Sequence, residues 1–114
     1  MKFLFIHQNF PAQFLHFASA LAAKKHDVCA LTLNRRKLPK VWNGVRIIEY
    51  SLDRGNGKDT FHLTTDFESK TIRAASCFAR AEKLKKEGYS PDVIISHPGW
   101  GESLFLKQVW PKSK

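Results

Sequence analysis

Apolar positions along the chain fall into four short runs and three stretches of helical spacing. Residues 2–7 (KFLFIH) form a compact apolar run closed by polar residues and a proline, as expected of a strand buried on both faces. Phe14, Leu15, Phe17, Ala18, Leu21 and Ala22 then recur at three- and four-residue intervals. That spacing predicts a helix with Pro11 in its first turn and Lys24, Lys25 and His26 at its negative end. Residues 27–33 (DVCALTL) read as a second strand, 34–44 as a basic loop and 45–50 (VRIIEY) as a third strand. Gly55-Asn56-Gly57 marks 51–60 as a mobile loop. Thr65 and Glu68 predict a capping box opening a helix that runs to about Glu87, with Ile72, Ala75, Phe78, Ala79 and Leu84 inward and Gly88 as its stop. Residues 92–96 (DVIIS) are a fourth strand, 97–101 (HPGWG) a turn, and 102–109 a last helix before Pro111.

This order predicts an α/β fold. It is a single Rossmann-like domain over residues 1–114, with a parallel sheet of about four strands and helices on both faces. Right-handed crossovers give the strand order 3-2-1-4, so the winding reverses between the first and fourth strands. Ligands of such sheets bind beyond the carboxyl ends of the strands at that reversal. The tips that meet there carry His7-Gln8-Asn9 and Ser96-His97-Pro98-Gly99. Gly99 and Gly101 remove side chains where a backbone must approach a ligand or turn sharply. Such a place suits a phosphate or an array of sugar hydroxyls. His16, His26 and His62 have no matching partner and read as surface or capping residues.

Composition narrows the field. The 114 residues are 43% apolar and 25% charged, the balance of one globular domain. No apolar run approaches the ~20 residues of a membrane span, and residues 3–6 are too few for a secretory leader, so a soluble, cytoplasmic protein is expected. Cys29 and Cys77, in a predicted strand and a predicted helix, read as reduced thiols. The net charge of +9 attracts polyanions, anionic membrane surfaces or phosphorylated ligands. Its clusters at 24–25, 35–37, 83–86 and 112–114 lack the interleaved aromatics of a single-strand platform, so no specific nucleic acid is implied. No H-E-x-x-H or C-x-x-C suggests a metal, and none is expected. G-x-S-x-G, G-x-G-x-x-G and Walker A patterns are missing as well, so no cofactor is expected.

The opening KFLFIHQNFPAQFLHFASALAAKKHDVCALT resembles the first β-α-β unit of bacterial glycosyltransferases of family 4. The likeness is to the group whose N-terminal domain begins with a strand and an H-Q-N-F-P-x-Q-F motif. GYSPDVIISHPGWGESLFLKQVWP is similar to that group's P-D-V-I-x-x-H-P-G-W-G-E segment, and Asp66-Phe67-Glu68 to its D-F-E. The resemblance implies a GT-B fold, in which two Rossmann-like domains face a cleft and no catalytic metal is needed. The N-terminal domain receives the sugar acceptor and the C-terminal domain holds the nucleotide sugar. These 114 residues correspond to an incomplete N-terminal domain, expected to be inactive without the donor half.

By the same resemblance His7, Gln8 and Asn9 line the cleft floor, and His97 is the catalytic residue beside the transferred sugar. Gly99, Trp100, Gly101 and Glu102 shape the substrate-binding loop. The family's glycine-rich loop after the first strand is replaced here by glycine-free 8–13, and Ala12 stands where the subgroup often has glycine. Two readings stay open beside sugar transfer: a stand-alone sugar- or phosphate-binding or self-associating module without catalysis, and a basic nucleic-acid binder. The free edge of the fourth strand, with Trp100, Phe105, Val109 and Trp110 after it, predicts self-association through that region.

Overall fold

Five strands form one sheet: β1 (Lys2–Ile6), β2 (Asp27–Leu33), β3 (Val41–Trp42), β4 (Val45–Tyr50) and β5 (Val93–Ser96). The computed structural model describes residues 1–34 and 38–114; the basic cluster predicted at 35–37 lies outside the described residues. The sheet order is β3-β4-β2-β1-β5, and β1, β2, β4 and β5 run parallel. The architecture is α/β, Rossmann-like and mixed, with one strand more than expected. That strand, β3, lies in the stretch predicted as a basic loop and pairs antiparallel with β4. It reaches β4 through Asn43-Gly44, with φ of 45° and 79°. Two left-handed residues make the hairpin turn whose twist matches the strands, and Asn-Gly is its favoured pair.

Each face of the sheet carries helix. On one, Phe5, Val28, Ala30 and Val45 pack with Phe10, Phe14 and Ala18 from the segment leading into α1 (Leu15–Ala23) and from α1 itself. On the other, Leu4, Ile6, Cys29, Leu31 and Ile48 meet Cys77, Ala81 and Leu84 of α2 (Thr65–Lys86) and Leu106 and Val109 of α3 (Leu106–Val109). The buried line of α2 is Ala74, Cys77, Ala81 and Leu84. The predicted inward residues Ala75 and Ala79 are exposed. Several alanines fit either face by period alone, and the one chosen sets small residues against the large side chains of β1 and β2. On α1, Leu15 and Phe17 are 42% and 52% exposed, so its inward stripe is narrower than its apolar spacing suggested. Cys29 and Cys77 are buried free thiols.

The capping box at Thr65 and Glu68 does not form. Thr64 is the residue before α2 and makes no side-chain cap. Glu68 turns outward instead, accepting hydrogen bonds from the Thr60 hydroxyl and, at 3.2 Å, from the Gly57 amide, with Arg54 at 3.7 Å. The Thr60 hydroxyl, the Gly57 amide and the Arg54 charge hold its carboxyl below the ordinary carboxylate range. Asn56 Nδ2 donates to the Thr65 carbonyl at 3.1 Å, so the 51–60 loop is tied to the first turns of α2 at several points.

The last predicted helix is also shorter, four residues preceded by turns. The apolar side chains that argued for self-association are largely spent within the molecule. Val109 and Trp110 are each 3% exposed, Phe105 packs edge-on to Phe78, and the Trp110 indole N–H donates to the Tyr89 carbonyl at 3.1 Å. Lys114 lies along the outer edge of β5, donating to the Asp92 carbonyl at 2.9 Å and accepting from the Ile94 amide at 2.8 Å.

Ala12 has a φ of 41°, in the left-handed region where a Cβ is disfavoured. Ala12→Gly is expected to stabilise the fold by about 1 kcal/mol, read as a rise of about 4 °C in the thermal midpoint. An unchanged or lower midpoint would show that this turn carries no strain.

Candidate functional site

The register of the central strands sets the site. Ile6 of β1 pairs with Ser96 of β5, so the next residue on each strand, His7 and His97, emerges side by side. The two imidazoles lie 6.5 Å apart, centroid to centroid, at 80°. Each ring accepts at Nδ1 from the backbone amide two residues on: His7 from Asn9 at 3.0 Å, His97 from Gly99 at 3.1 Å. With Nδ1 accepting, the proton of each neutral ring resides on Nε2, and that nitrogen is a donor. His7 is 6% exposed and meets the Phe14 ring edge-on at 6.0 Å. Burial, and then the charge of His97, lowers its pKa below the ordinary 6.5. His97 is half-buried, with the Trp100 indole 5.8 Å from it.

Both glycines of the following loop are required by their surroundings. A Cβ on Gly99 would come within 2.9 Å of the His97 ring. One on Gly101, where φ is 96°, would lie 2.4 Å from the Lys70 carbonyl oxygen of α2. Glu102 is placed apart from the other predicted residues. It is 2% exposed and accepts from the Tyr50 hydroxyl at 2.9 Å, so it fastens the loop to the end of β4. Burial, reinforced by the Glu102 charge, pushes the Tyr50 phenol upward.

Gln8 is 6% exposed, and its carbonyl accepts from the Thr32 hydroxyl at 3.2 Å. Its side-chain oxygen accepts from Arg73 at 3.4 Å. Arg73, on α2, also donates from Nε to the Trp100 carbonyl at 3.0 Å. Sequence reasoning missed this residue, since nothing in its local pattern separates it from the other basic residues of a solvated helix face.

The structure thus gathers His7, Asn9, His97, Gly99 and Trp100 at the carboxyl ends of β1 and β5, with Gln8 and Gly101 supporting them and Glu102 turned away. Two Nε2–H donors, a half-buried carboxamide and an indole 38% exposed are suited to sugar hydroxyls and an apolar sugar face. A hollow of about 660 Å³, lined by Pro91, Trp110 and Lys114 among others, lies at the amino-terminal ends of the strands and shares none of these groups. Among the described residues no three His, Cys, Asp or Glu side chains are grouped to hold a metal, and no helix is long and apolar enough to cross a membrane.

Gly101→Ala is expected to cost roughly 2–4 kcal/mol, from the left-handed backbone together with the clash on Lys70, as measured by denaturant unfolding. A loss under about 1 kcal/mol would mean the loop is free to shift away from α2. His7 binds its proton less readily folded than unfolded, so its contribution to stability is present above the unfolded value of 6.5 and falls as the pH drops through it toward the lower folded value. Unfolding at stepped pH should therefore show a steeper acid loss between pH 7 and 5 in the parent than in His7→Gln. Equal slopes would contradict the burial of this ring.

The family profile described as Glycosyl transferase family 4 group matches residues 24–114. The matched span begins just after α1, takes in β2 to β5 and α3, and holds His97 and its loop; His7, Gln8 and Asn9 precede it. Searches of curated proteins and of solved structures give no match. The matched span covers most of the chain and carries one of the two histidine-bearing tips, and the chain belongs to the glycosyltransferase family 4 group.

Proposed function

We propose that this chain supplies the acceptor-side wall of a sugar-transfer cleft of the GT-B kind. Family membership supports transfer from a nucleotide sugar, and the crevice at the tips of β1 and β5 is where the acceptor is received. The observation that carries this reading is the pair of imidazoles on neighbouring strand tips, each fixed by a backbone amide at Nδ1. In that state the rings donate from Nε2. His97 hydrogen-bonds an oxygen of the sugar, His7 holds a second oxygen from its buried position, Asn9 offers both donor and acceptor, and Trp100 packs on the sugar's apolar face.

Transfer needs a donor sugar held opposite the acceptor in attack geometry, and one wall of a cleft does not provide that positioning. The 114 residues by themselves are therefore binders of substrate and not catalysts. The net charge of +9 favours acceptors that carry phosphate or sit at an anionic surface.

Calorimetric titration of the chain with glycans and nucleotide sugars is expected to give saturable binding of at least one of them, weakened at least about ten-fold in His97→Ala and Asn9→Ala. Binding that survives both substitutions would place the substrate elsewhere. A steep salt dependence of binding to any oligonucleotide, without saccharide binding, would favour the nucleic-acid reading in its place.

A further inference from the structure

The two histidine-bearing tips belong to segments far apart in sequence, yet one side chain holds both loops. Arg73 reaches from α2 to the Gln8 side-chain oxygen at 3.4 Å and to the Trp100 carbonyl at 3.0 Å. Gln8 directly follows His7, and its own carbonyl is already held by the Thr32 hydroxyl. Trp100 closes the turn that begins at His97, and its indole lies 5.8 Å from that imidazole. Each contact of Arg73 is therefore one short step from one of the two rings. Both acceptors are neutral, and among the described residues no carboxylate lies within salt-bridge distance of the guanidinium. The charge strengthens both hydrogen bonds and is not consumed by an ion pair.

We propose that Arg73 is the positioning residue of the crevice, fixing the spacing of His7 and His97 through Gln8 and Trp100 without itself touching substrate. The guanidinium reaches the two acceptors from separate nitrogens, Nε and Nη1, held in one rigid plane, whereas the three donors of an ammonium share a single nitrogen on a flexible stem. The inference rests on the crevice being the substrate site, but its test needs no substrate.

The readout is the mutual influence of the two rings. Burial lowers the His7 pKa first, and a positive charge on the neighbouring His97 ring lowers it further. NMR titration of the imidazole signals should show His97→Ala raising the His7 pKa in the parent. In an Arg73→Gln background the same substitution should move the His7 pKa less, because the strand pairing still sets the tips side by side but the loops that orient the two rings are no longer fastened to each other. Arg73→Lys, which keeps the charge, should behave as Arg73→Gln does, and it serves as the second variant if the glutamine form does not fold. An unchanged effect of His97→Ala in a folded Arg73 variant overturns the proposal. Rescue by lysine also overturns it, since it would show that charge and not the fork matters. A crevice that binds no saccharide, with the coupling weakened as described, would refute the functional reading and leave the role of Arg73 standing.

Discussion

Parallel pairing of β1 with β5 is the constraint on which the rest of the structure depends. The pairing is pinned at its amino end by reciprocal contacts: the Lys2 amide donates to the Asp92 carboxylate at 2.7 Å, and the Asp92 amide donates to the Lys2 carbonyl at 2.9 Å. From there the ladder runs in step to Ile6 and Ser96, and His7 and His97 follow as neighbours. Side chains on a strand alternate between faces, so a slip of one residue would send His97 to the opposite face and dissolve the site. The placement of the strand tips thus starts from hydrogen bonds at the other end of the sheet and is carried along the ladder.

What the register brings together, α2 holds in place. Its 22 residues make a rod of about 33 Å, whereas the four residues of β5 span only about 13 Å. Anchored over the sheet by Ala74, Cys77, Ala81 and Leu84, the helix extends its first turns past the carboxyl ends of the strands. There Lys70 presents its carbonyl to Gly101, and Arg73 bonds to Gln8 and Trp100. Tyr50 holds the same loop through Glu102 from the end of β4. A loop fastened from both α2 and β4 has little freedom to drift, and such preorganisation lowers the cost of binding a ligand.

The sequence made the four parallel strands legible because each is a short apolar run with clear boundaries, and their succession with intervening helices limited the topology. The meeting of His7 and His97 followed from that topology. What escaped was local. The hairpin of β3 is only two residues long, and its signal, Asn43-Gly44, was absorbed into a loop rich in basic residues. Glu68 has the spacing of a capping box, yet the Thr60 hydroxyl and the Gly57 amide offered it better partners across the 51–60 loop. Glu102 stood next to the glycine turn and looked like a substrate ligand, but a buried tyrosine 52 residues away claimed it. Arg73 was illegible for the same reason: its partners are decided by tertiary packing, and periodicity carries no trace of them.

The central claim is that two distant strand tips make one binding site. Its most direct measurement is the NMR response of the His7 and His97 imidazole signals to a saccharide that the chain binds. One shared crevice predicts that both rings shift together along a single saturation curve with one dissociation constant. Rings that respond at different concentrations, or one ring that responds while the other stays still, would contradict it.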